Sequence, residues 1–348
     1  MAELWFAIVA LMLTVYVVLD GFDFGAGAMH LWIARTDQER RQVLAAIGPY
    51  WDGNEVWLLA TGGALFLAFP AVLAAGLSGF YFAIFLVLWT LILRGISIEF
   101  RSHVDGRMWR AAWDVVFGVS STLLPILFGA ALGNLLRGLP LDDRGWFSLA
   151  LFTHFGTQEP VGILDWYTVL VGVFALVVLI GHGGAFLAWK TDGPVHERSR
   201  SLVTWYYAAV AAGWPLMTFA TVAVNPQMFA KFSGRPLAWI ALAVIVGGLV
   251  AVFTGQRRRR PLTSFLGSCA FLAGLLGATA VAVFPVLLRS IGDEARSLTA
   301  FNASVPDSSL RIALTWWLIG FPLAIAYFAI VFRLHAGKAV AATKGEGY

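Results

Sequence analysis

Charge is scarce in this chain. Asp, Glu, Lys and Arg make up 13% of its 348 residues, about half the share in an ordinary soluble domain. Cysteine is almost absent. The single Cys269 excludes an intrachain disulfide and any multi-cysteine metal site. Neither a Walker loop nor a dinucleotide-binding glycine fingerprint occurs. These deficits set aside a soluble enzyme, a disordered chain and a secreted disulfide scaffold. What is abundant is apolar: 59% of residues are hydrophobic, with 36 glycines besides, and the mean hydropathy is +0.78. A water-soluble fold of this size could not keep so much apolar surface dry. The composition is that of a polytopic membrane protein. The net charge of +4 lies mostly between apolar runs, so it reads as membrane orientation rather than nucleic-acid binding.

A helix needs about 20 apolar residues to cross the hydrocarbon layer. Nine windows qualify, at 5–33, 50–75, 77–99, 112–135, 165–189, 202–224, 236–254, 262–287 and 310–333. Barrel strands would be about half as long, so the expected class is all-α, a single integral membrane domain over 1–348. The chain opens without the basic region and small-residue cleavage site of a signal peptide, so its first window is expected to be an uncleaved span. With the N-terminus outside, the inner segments are 34–49, 94–111, 190–201, 255–261 and 333–348. They hold 17 of the 24 Lys and Arg, and the outer segments hold the other 7. The positive-inside rule then predicts an N-out, C-in topology. The run Arg257-Arg258-Arg259-Arg260 reads as a topology anchor before a lipid-binding patch. A faint echo links Gly62-Gly63-Ala64 and Phe69-Pro70 to Gly277-Ala278 and Phe284-Pro285, both late in outward-running helices.

An ionisable residue within a span costs about 3 kcal/mol or more unless it is paired or hydrated. The few such residues are therefore informative. Asp20 and Asp23 are spaced i, i+3 and share one helix face. The glycines at 21, 25 and 27 permit close helix approach. The pair either fixes helix register by pairing with an arginine or handles protons. The second span opens Gly48-Pro49-Tyr50-Trp51-Asp52-Gly53-Asn54-Glu55. Its acids either answer the positive end of the helix dipole or belong to a site, and Trp51 is equally readable as an interface anchor. Arg94 closes a long apolar run ahead of Glu99 and needs a carboxylate partner. In the predicted topology all three segments deliver these groups to the inner side. A hydrated acidic inlet of carboxylates and waters is the chemistry that this pattern would serve. Of six histidines only His182 is clearly inside a span. A bis-histidine haem site needs two, so His182 reads as a polar packing residue, with no metal site in the chain. Two other readings stay open: an ion-coupled transporter using the same acids, and a purely structural partner subunit.

The residues Leu19-Asp20-Gly21-Phe22-Asp23-Phe24-Gly25, Gly48 through Leu58, Gly63-Ala64-Leu65-Phe66, Ser78-Gly79-Phe80-Tyr81, Arg94 through Arg101, Gly133-Asn134-Leu135-Leu136-Arg137-Gly138 and Asn302-Ala303-Ser304 resemble subunit II of the cytochrome bd-type quinol oxidases, cyanide-insensitive relatives included. The resemblance spans essentially the whole chain. It implies nine transmembrane helices arranged as two four-helix bundles plus one peripheral helix, in the bacterial cytoplasmic membrane. It further implies a heterodimer with subunit I, which carries two b-type haems, the oxygen-reducing haem (d, or a third b) and the quinol-oxidising loop. The complex passes electrons from quinol to oxygen and takes protons from the cytoplasm without pumping. In this chain the resemblance implies no haem ligand, a structural quinone in some members, and contact with a small single-span accessory subunit in some. It matches Asp20, Asp23 and Asp52 to the family's motif acids, with Asp23 and Asp52 on the proton path, and Trp51, Asn54 and Arg94 to neighbouring motif positions that support it. With Asp20 included, the expected path is Asp20, Asp23 and Asp52. Glu55, a neutral amide in some relatives, and Glu99 are expected to support it from the residue pattern above.

Overall fold

A computed structural model describes residues 1–230, 232 and 234–340. Lys231 and Lys344, two of the bases counted for topology, lie outside them. The chain is helical almost throughout. Its first helix, α1 (Ala2–Ile33), runs about 48 Å and every residue from Asp20 to His30 is buried. A short helix, α2 (Asp37–Ile47), follows in the expected inner segment and starts with a capping box. Thr36 Oγ1 accepts from the Glu39 amide, and the Glu39 carboxylate accepts from the Thr36 amide.

The expected second span, 50–75, is not one continuous helix. It is α3 (Trp51–Ala68) followed by α4 (Pro70–Gly79). The residue before a proline is disfavoured in the helical region, and Phe69 breaks the run at φ −137°, ψ 60°. The same chemistry ends α11 (Pro261–Val283) at Phe284, before Pro285, so the span expected to reach 287 stops four residues earlier. This gives the faint echo between the two Phe-Pro dipeptides a structural meaning: each terminates a helix.

The remaining long helices are α5 (Tyr81–Phe100), α6 (Arg107–Arg137), α7 (Trp166–Lys190), α8 (Gly193–Val224), α10 (Pro236–Arg257) and α12 (Asp307–Leu334), with the short α9 (Pro226–Ala230) after α8. Among the described residues eight helices are long and apolar enough to cross a membrane. α1 lies at the centre, packed on α3, α6, α7 and α11. Its crossing with α7 relies on missing side chains. A Cβ at Gly25 would stand 1.9 Å from the Leu179 carbonyl oxygen, and one at Gly183 would stand 2.4 Å from the Ala26 nitrogen. Small residues let helix backbones approach where lipid offers no hydrophobic drive.

The two longest connections, 138–165 and 284–306, pack on each other. A two-stranded hairpin, β1 (Val286–Leu288) with β2 (Leu298–Thr299), is the small exception to an all-α chain. Leu139 bridges to Ser290, and Arg289 Nη1 donates to the Arg137 carbonyl at 2.7 Å.

Candidate functional site

The inward-facing groups of α1, α3 and α5 meet in one cluster. Arg94 Nη2 lies 2.8 Å from Asp20 Oδ1, with both side chains 0% exposed. The same nitrogen donates to Glu55 Oε1. Glu55 is 27% exposed, so it links the buried pair to the surface of α3. Beside it, Asn54 Nδ2 donates to Asp23 Oδ2 at 2.7 Å and to the Leu19 carbonyl at 3.2 Å. The Arg94 guanidinium lies 4.6 Å over the Phe24 ring. Three carboxylates thus gather around one guanidinium in a largely buried cluster, where charge interactions are strong and bare charges costly.

Sequence spacing accounts for part of this arrangement. Asp20 and Asp23 stand one turn apart on α1. Asn54 and Glu55, successive residues of α3, hold different partners: Asn54 reaches Asp23, and Glu55 reaches Arg94. Trp51 is nearly buried and fills the gap to α5, where a Cβ at Gly95 would be 3.3 Å from its ring. Two expected residues lie nearer the surface. Asp52 is exposed on the first turn of α3, and Glu99 is exposed near the end of α5, where its carbonyl accepts from His103. The Asp52 side chain makes no contact with Arg94 among the described residues.

A second buried cluster escapes the sequence analysis. Asp114 of α6 is 1% exposed and accepts from His30 Nε2 at 2.7 Å, from Arg101 Nε at 2.6 Å and from Arg40 Nη1 at 2.7 Å. Arg101 also reaches Asp37 at 2.8 Å. Burial pushes the Asp37 carboxyl up, but Arg101, Arg41 and Arg110 outweigh it and hold the group below its ordinary range. The criterion that singled out Asp20 and Arg94, an ionisable group inside a span, selects Asp114 as well. Its place at the start of window 112–135, next to loop charges, hid it.

At the opposite end of α6, Arg137 pairs with Asp165, donates to the Gly162 carbonyl at 2.9 Å and to Asn134 Oδ1 at 2.8 Å. Asp165 also caps α7 by accepting from the Tyr167 and Thr168 amides, both at 2.8 Å. The Gly133–Gly138 segment therefore locks the 138–165 connection onto two helices. His182 engages both ring nitrogens, with Ser268 Oγ at 2.7 Å and the Val18 carbonyl at 2.8 Å. Among the described residues no three His, Cys, Asp or Glu side chains are placed to share a metal.

Long apolar helices wrapped around a buried carboxylate–guanidinium cluster define a multi-pass membrane protein with a charged interior. Residues 1–335 match the family described as cytochrome bd terminal oxidase subunit II, and the chain belongs to that family. It is similar to the Escherichia coli K12 cytochrome bd-I ubiquinol oxidase subunit 2, with 30% identity covering 94% of this chain and 92% of the relative. It is also similar to the Bacillus subtilis cytochrome bd ubiquinol oxidase subunit 2, with 33% identity covering 89% and 88%. A probable cytochrome oxidase subunit 2 of Haemophilus influenzae shares 32% identity over 93% and 91%. The fold matches a chain of the bd oxidase from Geobacillus thermodenitrificans with a TM-score of 0.77 at 17% identity, over 96% and 98% of the two chains. This membership places the chain in an oxidoreductase complex of the bacterial inner membrane, with a subunit I partner, and sets aside the transporter reading.

Proposed function

We propose that this chain is the haem-free subunit of a quinol-oxidising, oxygen-reducing complex, and that it supports the haem-bearing subunit and feeds it protons from the cytoplasmic side. The observation that carries the reading is the Asp20–Arg94–Glu55 and Asp23–Asn54 cluster, buried inside α1, α3 and α5 yet opening to the surface through Glu55. An isolated charge in a span is expensive, and acids gathered in one buried cluster are suited to pass protons. In this reading the path runs from Asp52 and Glu99 at the mouth through Glu55 to Asp20 and Asp23, and Arg94 holds Asp20 and Glu55 in place. Trp51 and Asn54 hold the geometry. The distribution of Lys and Arg supports an N-out, C-in orientation. Taking α3 and α4 as one crossing gives nine crossings, the number expected of two four-helix bundles and a peripheral helix.

The donor set supports haem binding in subunit I rather than here. Both nitrogens of His182 are engaged and His30 is tied to Asp114 through Nε2, so these buried imidazoles are not a free axial pair. Bound in subunit I, two b-type haems and haem d (or a third b haem) would supply the electron transfer and oxygen reduction. A structural quinone fits a cavity of about 500 Å³ between α1, α6, α9 and α11. Phe6, Leu135, Met228 and Leu287 would pack its tail, and Arg235 and Arg289 stand at the polar end. The long exposed faces of α5 and α12 are surfaces for subunit I, lipid and a single-span accessory chain.

The test is the purified complex bearing Asp23→Asn. The variant is expected to keep its haem spectrum and lose most quinol-dependent oxygen uptake. Full uptake would overturn the inlet. Parallel loss of haem and uptake would favour a purely structural subunit.

A further inference from the structure

The polar residues of α1 continue past the cluster toward the inner end. Tyr16, Asp20, Asp23, Gly27 and His30 follow a spacing of four, three, four and three, which keeps them within an arc of about 80° on one helix face. Opposite Gly27 stands Ser121 of α6. A Cβ at Gly27 would lie 2.1 Å from the Ser121 hydroxyl oxygen, so the glycine leaves room for that hydroxyl. His30 and Asp23 are about 10 Å apart along the axis, and Ser121 stands between them.

The hydrogen-bond inventory of this stripe is unusual. His30 Nδ1, Ser121 Oγ and Asp23 Oδ1 are each buried without a hydrogen-bond partner among the described residues. Buried polar atoms are nearly always satisfied, by protein or by ordered water. Three successive unpartnered atoms on one face therefore mark a hydrated track. At its inner end the track meets Asp114, which is bound by Arg101, by Arg40 (26% exposed) and by His30. The Phe117 ring packs edge-on against His30.

The geometry points to His30 and Ser121 as a second feed for the same proton path, entering from the Asp114 cluster and joining at Asp23, independent of the Asp52 mouth. This rests on the inlet reading above. A carboxylate can only accept, so His30 Nε2 donates to Asp114 and Nδ1 is left facing the stripe. A proton carried by water from the inner surface binds at Nδ1, the one ring nitrogen with a free lone pair, and makes the ring an imidazolium, whose charge Asp114 offsets. Its loss from Nδ1 to the Ser121 hydroxyl, or to a water held there, restores the neutral ring. The hydroxyl accepts on a lone pair and releases its own proton toward Asp23, so nothing is consumed. Both are relay residues and touch no cofactor.

The experiment compares Ser121→Ala, His30→Leu, Asp52→Asn and Asp23→Asn in the intact complex, with quinol-dependent oxygen uptake in H₂O and D₂O measured beside haem content. Ser121 Oγ has no hydrogen-bond partner among the described residues, so a structural role predicts no change in Ser121→Ala. Severalfold slower uptake with a larger solvent isotope effect and unchanged haem is expected in Ser121→Ala and His30→Leu. Adding Asp52→Asn to Ser121→Ala should slow uptake beyond either alone. Unchanged uptake and isotope effect in Ser121→Ala overturn the second feed, and if Asp23→Asn is slow in that experiment the inlet itself stands. Full activity in Asp23→Asn overturns both. Should His30→Leu lose haem, Ser121→Ala decides alone.

Discussion

Arg94 and Asp20 form an ion pair of 2.8 Å in which neither side chain is exposed. The pair joins α5 to the middle of the central helix, and Glu55 shares the same guanidinium nitrogen from α3. Breaking a buried pair by removing one partner costs about 3–5 kcal/mol, because the other charge is left uncompensated.

Arg94→Gln is accordingly expected to lower the yield of assembled complex sharply, read as haem-bearing material in size-exclusion chromatography after detergent extraction. Asp20→Asn in the same background should recover part of the yield, since it removes the stranded carboxylate. A normal yield from Arg94→Gln alone would show that the pair contributes nothing to assembly.

The α1–α7 crossing gives a contrast within one residue type. Gly25→Ala would drive a methyl into the Leu179 backbone carbonyl, and Gly183→Ala would do the same to the α1 backbone. Backbone cannot step aside as a flexible side chain can, so both variants should fail to accumulate. A Cβ at Gly62 meets nothing within 4 Å, so Gly62→Ala should be neutral or gain up to about 1 kcal/mol of helix propensity. Immunoblots of membranes from all three variants check this.

Asp165 has two separable duties at the start of α7. Asp165→Asn keeps an acceptor for the α7 cap but removes the counter-charge of Arg137. Asp165→Ala also loses the cap, which is worth about 1 kcal/mol. Thermal unfolding of the purified complex should rank wild type above Asp165→Asn, and Asp165→Ala lowest. Equal midpoints for the two variants would remove the cap from the account.

An acid-side dependence follows from Glu39. The Arg198 hydrogen bond, at 2.8 Å, holds its carboxyl below the ordinary value of 4.5, and the Arg35 and Thr36 amides add to this. A carboxyl depressed in the folded state contributes stability that is present above its unfolded value and is lost as pH falls through the folded one. Melting temperatures measured between about pH 6 and pH 3 should therefore fall less steeply in Glu39→Gln than in wild type. At neutral pH the variant should be the less stable of the two. Parallel curves would dismiss the linkage.

Much of the site was legible before any coordinates. An acid pair one turn apart, a motif at a helix start and an arginine after an apolar run each stood out because charge is so rare here. The topology argument brought them to one side. Pairing was less legible. Nothing in the spacing says that Arg94 takes Asp20 and Glu55 while Asn54 takes Asp23, because that depends on how three helices are rotated about their axes. The Asp114 cluster and Ser121 were hidden for a related reason. A serine is unremarkable in a span until the missing side chain of Gly27 places its hydroxyl between His30 and Asp23.

The sequence by itself determined that this is a chain of long membrane-crossing helices, which family it belongs to, and where the costly charges lie. Hydrocarbon solvent enforces those features through local composition alone, residue by residue along each span. Tertiary structure alone decided the choice of ion-pair partners, the separation of Asp52 from the buried cluster, and the polar track along α1. Each depends on helix rotation and on the distance of closest approach, and those are set by small residues meeting across helices that lie far apart in the chain.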